Sequence, residues 1–119
     1  MGLVSEAGLH GLVLGSTEPK RLAAWYQAAF ASDVEVTDSV LQLNQGTLIF
    51  EQRDDVTPEA AEPGRIIVNI RVAELQALVA HLEAMNLEWI RPVEPIPIGA
   101  IATVKDADGN VVNILELNE

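Results

Sequence analysis

The sequence contains no cysteine and few basic residues. Without cysteine, disulfide bonds and thiolate metal sites are excluded, and a cytoplasmic location is expected. Seven lysine and arginine residues stand against eighteen acidic residues, so the formal net charge is −11. A field of this sign repels nucleic acid and anionic lipid, and we expect neither as a partner. An acidic protein would suit a cationic ligand, although acidic surfaces also serve solubility alone.

Several kinds of segment and motif are also missing. No apolar run approaches the roughly 20 residues that a membrane-spanning helix needs, so no membrane partner is expected. The first residues include Glu6 and no basic stretch, which predicts that there is no signal peptide. No glycine-rich phosphate loop, dinucleotide fingerprint or serine–histidine constellation appears. Hydrophobic residues make up 49% of the chain, and this fraction predicts a folded domain with a real core.

The first half of the chain predicts a strand, a helix and three further strands. Pro19 suits the first position of the helix, after an oxygen-bearing N-cap side chain at Thr17 or Glu18. The helix runs to about Phe30 and carries an apolar stripe at helical spacing. Its members are Leu22, Trp25, Tyr26 and Ala29. The strands are predicted at 9–16, 34–37, 40–43 and 47–52, with Asp38 and Ser39 as a turn.

The second half repeats this order after a polar loop at 53–64. Strands are predicted at 65–72, 87–91, 101–105 and 111–116, with a helix at 74–86 that ends at Asn86. Pro92, Pro95 and Pro97 predict a stiff connector that stops the strand at 87–91. The turn 106–110 has Asp, Gly and Asn chemistry and predicts a hairpin that closes a sheet. The two halves therefore predict an internal duplication.

This order of segments resembles the vicinal oxygen chelate superfamily, which includes glyoxalase I, extradiol dioxygenases and bleomycin-resistance proteins. The resemblance is carried by Leu14-Gly15, the helix 19–26 with Trp25-Tyr26, the helical segment 74–82 and the turn 106–110. The turn reads Asp-Ala-Asp-Gly-Asn, like the family's Asp-Pro-Asp-Gly-Asn with alanine for proline.

The resemblance implies an α+β fold made of two tandem βαβββ modules that form a curved, cleft-lining mixed sheet. Residues 1–119 would then be a single domain, with modules at about 9–52 and 65–117 and a linker at 53–64. The resemblance also implies a homodimer, in which the clefts form either within one chain or between two.

The family's enzymes bind a divalent metal through His, Gln or Glu side chains on the concave sheet, and this sequence departs from that pattern. The resemblance places the ligand positions on Gly11, Ile67, Asn113, and Ile49 or Glu51. His10 lies one residue from the first position, and a slip of one residue turns a strand side chain to the other face. We therefore expect no metal cofactor. If a divalent metal ion does bind, His10 and Glu51 are its candidate ligands.

Strand alternation selects the side chains that face the predicted cleft. The helix-facing set is Val68, Ile70, Val72, Val112 and Ile114. The opposite set is mostly apolar with a few polar groups, as is usual for a small-molecule site. We predict that Glu51, Asn69, Arg71 and Asn113 bind the ligand and that Trp89 lines the cleft mouth. The plainer alternatives are a solvated pair of Arg71 with Glu51, a backbone partner for Asn113 and simple packing for Trp89.

Three functions follow as alternatives. The first is metal-independent binding of a small organic molecule, of the bleomycin-resistance type, with a cationic molecule suiting the net charge. The second is a metal-dependent lyase, isomerase or dioxygenase of the glyoxalase type, which needs His10 and Glu51 to converge with Glu116 or Asn113. The third is a sensing or interaction domain without chemistry. The missing ligands favour the first and third, and whether the protein is an enzyme stays open.

Overall fold

The computed structural model describes residues 6–118. The chain forms two compact units that divide between Asp54 and Asp55, inside the linker predicted at 53–64. The first unit combines one helix with a three-stranded sheet, and the second combines one helix with a four-stranded sheet. Within 6–118, neither helix is long and apolar enough to cross a membrane. The α+β fold class is therefore confirmed.

The first unit consists of β1 (Gly11–Ser16), α1 (Pro19–Phe30), β2 (Val40–Gln42) and β3 (Thr47–Gln52). The central strand, β3, pairs in parallel with β1 and antiparallel with β2. Proline stands at the start of α1 as predicted, since its missing N–H would have no partner there. The expected N-cap bond is wrong, because Glu18 makes no side-chain cap. Instead, Ser16 Oγ accepts a hydrogen bond from the Glu18 amide at 2.9 Å.

The core of the first unit forms where α1 packs on the sheet. Leu22 and Tyr26 of α1 are 0% exposed, and Phe50 of β3 lies beside Tyr26 with ring centroids 5.8 Å apart. Trp25 is only half-buried, at the edge of this cluster. Burying a large apolar side chain stabilises a fold by about 1.5–3 kcal/mol, so these few residues supply much of what holds the unit together.

The strand predicted at 34–37 does not form, and only its last residue makes an isolated bridge. Residues at the end of α1 form hydrogen bonds with the backbone groups of Val34 that a strand would use. The Val34 amide donates to the carbonyl of Ala31 at 2.9 Å, and the Val34 carbonyl accepts from Gln27 Nε2 at 2.6 Å. The turn at Asp38 and Ser39 is confirmed, with both residues at positive φ.

The second unit consists of β4 (Val68–Arg71), α2 (Leu75–Glu83), β5 (Trp89–Ile96), β6 (Gly99–Lys105) and β7 (Val111–Leu117). The strand order is β4-β7-β6-β5, so the C-terminal strand β7 lies inside the sheet. It pairs in parallel with β4 and antiparallel with β6, which confirms the predicted closing hairpin. The helix predicted to run to Asn86 ends at Glu83, and the chain turns away at Asn86, whose φ is 56°.

The prolines do not stop β5, and this part of the prediction is wrong. The strand runs through Pro92 and Pro95 to Ile96. Among residues 6–118 it is an edge strand with β6 as its one neighbour, and proline is tolerated on an edge because the missing N–H can face away from the ladder. Two shifts of register accompany the prolines, one before Arg91 and one before Glu94.

The turn between β6 and β7 is organised by a buried carboxylate. Asp106 is 6% exposed, and its Oδ1 accepts hydrogen bonds from the amides of Asp108 and Asn110, each at 2.9 Å. Its Oδ2 accepts from Asn110 Nδ2 at 2.9 Å. Gly109 provides the positive φ, 84°, that closes the turn. The predicted turn chemistry is confirmed, and the turn holds β6 and β7 in register.

Candidate functional site

The four-stranded sheet of the second unit has two unlike sides. On β4 and β7, Val68, Ile70, Val112 and Ile114 are buried on the side of α2. The residues between them point the other way, with Asn69 and Arg71 exposed and Asn113 half-buried. This is the period-two alternation that the sequence predicts. We call the side away from α2 the far face.

Four polar side chains cross the far face in one row. Asn69 pairs in register with Asn113, Asn113 with Thr103, and Thr103 with Arg91. Each of the four strands therefore contributes one residue, and we call this set the polar row. With strands about 4.8 Å apart, the polar row spans about 14 Å, the length of a small organic molecule.

Three members of the polar row are joined by side-chain hydrogen bonds. Arg91 Nε donates to Thr103 Oγ1 at 3.2 Å, and Thr103 Oγ1 donates to Asn113 Oδ1 at 2.8 Å. Thr103 is 3% exposed, so its hydroxyl is held firmly between the other two groups. The carboxylate of Glu94 lies 3.6 Å from Arg91 Nε.

Apolar and charged side chains form the next row. Arg71 pairs with Leu115, Leu115 with Ile101, and Ile101 with Glu94. Ile101 and Leu115 thus occupy the middle of this row, with charged groups at the two edges of the sheet. Ile101 is 8% exposed and Leu115 is half-buried, so Leu115 presents the apolar surface beside the polar row. Apolar surface beside a few fixed polar groups has the chemistry of a small-molecule site.

Arg91 reaches the far face because β5 is irregular. Trp89 pairs with Val104 and Arg91 pairs with Thr103, so two steps along β5 match one step along β6. In a regular strand Trp89 and Arg91 would share a face, and the extra residue, Ile90, separates them. Trp89 consequently lies in the row of the fully buried Val104, on the side of α2. The structure does not bring Trp89 together with the polar row.

Asn69 and Asn113 are thus the predicted site residues that lie side by side, and Arg71 is one row away. Asn113 accepts a bond from a side chain, Thr103, and not from the backbone group considered in its plainer interpretation. Sequence alternation missed Arg91 and Thr103. The signal that could have found Arg91 is the proline at 92, because proline in a strand often accompanies a bulge.

Glu51 lies on β3 of the first unit, and the register of this strand is now defined. Gly11, Val13 and Gly15 of β1 pair with Thr47, Ile49 and Glu51. Glu51 Oε2 lies 2.7 Å from Arg53 Nη1 in an ion pair whose side chains are half-exposed, 50% and 45%. A solvated pair of this kind adds little stability.

Comparison with known proteins places this geometry in a fold family. No protein-family model and no curated protein sequence matches the chain. A glyoxylase/bleomycin resistance protein/dioxygenase domain from Frankia sp. EAN1pec matches it with a TM-score of 0.74 at 14% identity, over 94% of this chain and 98% of that one. The chain has the glyoxalase/bleomycin-resistance/dioxygenase fold. The resemblance to the vicinal oxygen chelate superfamily is therefore confirmed at the level of the fold.

Proteins of unlike function share this fold. TnmS3, an antibiotic binding protein from Streptomyces sp. CB03234, matches with a TM-score of 0.70 at 14% identity, over 94% of this chain and 97% of that one. A lactoylglutathione lyase from Agrobacterium tumefaciens also matches with a TM-score of 0.70, at 12% identity, over 92% and 93% of the two chains. The glyoxalase fold thus accommodates both binding and catalysis, and function depends on the residues of the site.

Among residues 6–118, the two candidate metal ligands, His10 and Glu51, do not converge. His10 precedes Gly11, which pairs with Thr47, whereas Glu51 pairs with Gly15. His10 and Glu51 are therefore five steps apart along the paired strands, or about 16 Å at 3.3 Å per residue, too far to share one ion. Within 6–118, no cluster of three or more His, Cys, Asp or Glu side chains could hold a metal.

Glu116, a further candidate ligand, is engaged at the start of α2. Its Oε1 accepts a hydrogen bond from the Leu75 amide at 2.7 Å, while Glu74 at the N-cap makes no side-chain cap. A carboxylate at this position also interacts favourably with the helix dipole. Glu116 therefore serves as a cap contributed by β7.

A groove of about 270 Å³ lies in the first unit, between α1 and the segment that follows it. Ala23 and Phe50 contribute apolar surface, and Lys20, Gln27 and Ser39 contribute the polar groups. The Gln27 side chain is already committed to the carbonyl of Val34. The groove has no connected polar set comparable with the polar row, which is the better candidate site.

Proposed function

We propose that this protein binds a small organic molecule on the far face of the second sheet without using a metal ion. The polar row is the observation that carries the proposal. Its three hydrogen-bonded side chains come from three strands, and Thr103 holds the other two in place from a buried position. A site built on strands and fixed by its own hydrogen bonds is preorganised for a ligand.

The fold and the ligand positions support this proposal. The antibiotic-binding protein TnmS3 shares the fold at 14% identity, so the fold is compatible with the binding of a small molecule. The separation of His10 from Glu51 argues against a shared metal and against the glyoxalase-type alternative. A fixed polar group on an apolar surface orients a ligand, whereas the apolar surface supplies most of the affinity.

Thr103→Val tests the role of the polar row. Valine keeps the shape but removes the hydroxyl that links Arg91 with Asn113, so we expect about tenfold weaker ligand binding. Thr47→Val is the matched control, because Thr47 is also buried, 5% exposed, and donates to an amide oxygen, Gln42 Oε1, at 3.0 Å. Thr47→Val removes a side-chain hydrogen bond of the first unit and leaves the hydrogen bonds of the polar row unchanged.

The assay is an NMR titration with a library of small neutral, acidic and basic aromatic molecules. Binding should shift the side-chain amide signals of Asn69 and Asn113, and Thr103→Val should weaken binding while Thr47→Val does not. Shifts confined to other surfaces would refute the proposed site. Dialysis against nickel, zinc, manganese and ferrous iron, followed by elemental analysis, tests metal independence. A stoichiometric metal that is lost in His10→Ala or Glu51→Ala would favour the metal-dependent enzyme.

We also propose that the protein is a homodimer, as its fold family suggests. The first unit presents exposed apolar side chains on and beside its end strand β1, with Leu9 87% and Val13 58% exposed. Apolar surface of this kind often marks an interface. Light scattering coupled to gel filtration decides the question, since a mass near 12.8 kDa would show a monomer and contradict the proposal.

A further inference from the structure

The hydrogen bonds of the polar row run in one direction. Arginine has no acceptor, so Arg91 Nε must donate to Thr103 Oγ1. The single hydroxyl hydrogen of the buried Thr103 then needs an acceptor, and Asn113 Oδ1 at 2.8 Å provides it. The oxygen of the Asn113 amide is thereby directed to Thr103. Its NH2 group is left for another partner.

The polar row therefore has a surplus of donors. Among residues 6–118, Asn113 Nδ2 and the two terminal nitrogens of Arg91 make no hydrogen bond, and the Arg91 side chain is 40% exposed. Asn69, the register partner of Asn113, is exposed and contributes a further amide. These groups offer several N–H donors to a molecule lying along the row. The oxygens of Thr103 and Asn113 each accept one bond within the row, whereas these donors have no acceptor there.

The strand positions of the far face carry more cationic than acidic side chains, in contrast to the chain as a whole. By strand register Arg71, Arg91 and Lys105 point to this face, and Glu94 is the one carboxylate that its described strand positions carry. Glu94 lies 3.6 Å from Arg91 Nε and Glu88 lies 3.5 Å from Lys105 Nζ, so each carboxylate partly offsets its cation. At physiological salt, charges beyond about 8 Å are largely screened, so these nearby cations matter more to a bound ligand than the net charge of −11.

We infer that the far face selects a ligand bearing a carboxylate or a similar anionic acceptor group, which lies against Arg91 and the Asn113 NH2. The inference rests on the proposed function and names its ligand class. It reverses the preference for a cation that the net charge suggests. A carboxylate accepts from both groups in charge-assisted or amide hydrogen bonds, while the ring or chain of the ligand contacts the half-buried Leu115.

The test compares three probes that share one ring system, 2-naphthoate, 2-naphthamide and 2-naphthylmethylamine, by NMR titration of the full chain. We expect the acid to bind about tenfold more tightly than the amide and more tightly still than the amine, because a charge-assisted bond is added. The side-chain NH2 signals of Asn113 should shift in the same titration.

The variant Asn113→Asp tests the anionic ligand class separately from the proposed binding site. Aspartate still accepts from Thr103 but loses the NH2 donor and adds a negative charge, so the acid should lose at least about tenfold in affinity. Asn44→Asp makes the same charge change at an exposed loop position of the first unit and should leave the affinity unchanged. Tightest binding of the amine, or equal effects of the two variants on the acid, would overturn the ligand class.

The same experiment tests the proposed function through outcomes that differ from those that test the ligand class. Equal affinities of the three probes, with shifts in the polar row, would overturn the ligand class and leave the proposed site standing. No shift of any polar-row residue with any probe would overturn both. Urea unfolding of Asn113→Asp verifies that the variant is folded before its affinity is interpreted.

Discussion

Replacing Asp106 by alanine should destabilise the second unit strongly. The carboxylate is 6% exposed and is the acceptor for two backbone amides, at 2.9 Å each, and for the Asn110 side chain. Its removal leaves the Asp108 amide, in a buried residue, and the half-buried Asn110 amide without this acceptor. At about 1–3 kcal/mol for each buried group left unsatisfied, we expect a loss of about 2–4 kcal/mol, a large part of the stability of a small protein.

Urea denaturation followed by circular dichroism measures this loss as a lower midpoint with an unchanged slope. Asp33→Ala, at an exposed turn position, is the control and should change the free energy of unfolding by less than about 0.5 kcal/mol. Asp106→Asn tests the direction of the bonds, because its new NH2 group would face Asn110 Nδ2. The pair Asp106→Asn with Asn110→Asp restores a donor and an acceptor and should recover part of the stability. Equal midpoints for wild type and Asp106→Ala would refute the reasoning.

Two further changes test the local structure. Glu116→Ala should lower the free energy of unfolding by about 1 kcal/mol, because it removes the cap on the Leu75 amide. Glu116→Gln keeps the acceptor and should lower it less. Urea midpoints distinguish the two variants, and equal losses would contradict the cap. Gly11→Ala should lower the free energy of unfolding by about 1–3 kcal/mol or more, since the added Cβ would meet Thr47 O at 2.0 Å. In Gly8→Ala the added Cβ meets nothing within 4 Å, so thermal unfolding should be unchanged.

Much of the fold could be predicted from the sequence because its signals are local. Proline at the start of α1, positive φ at Asp38 and Asn86, and the carboxylate turn at Asp106 depend on residues close together in the chain. The alternation of buried and outward-facing residues on β4 and β7 could also be predicted, since burial on one face imposes a period of two. For the same reason Asn69 and Asn113 could be assigned to one side of the sheet from the sequence.

The errors arose where the structure around a segment, and not its own residue types, decided the outcome. The strand predicted at 34–37 has suitable residues, yet Gln27 and Ala31 at the end of α1 bind the backbone of Val34. Prolines were expected to end a strand, but β5 lies at an edge where a missing N–H does little harm. Neither outcome depends on residue preference alone.

The sequence by itself determined the fold class and the composition that excludes thiolate chemistry. Only the tertiary structure decided the candidate site. Arg91 and Trp89 are two residues apart and would share a face in any regular strand, and the pairing of β5 with β6 sends them to opposite faces. Thr103 joins the site because strand pairing places a donor, Arg91, on one side of it and an acceptor, Asn113, on the other. Pairing between strands is a long-range property, and it therefore sets which side chains meet.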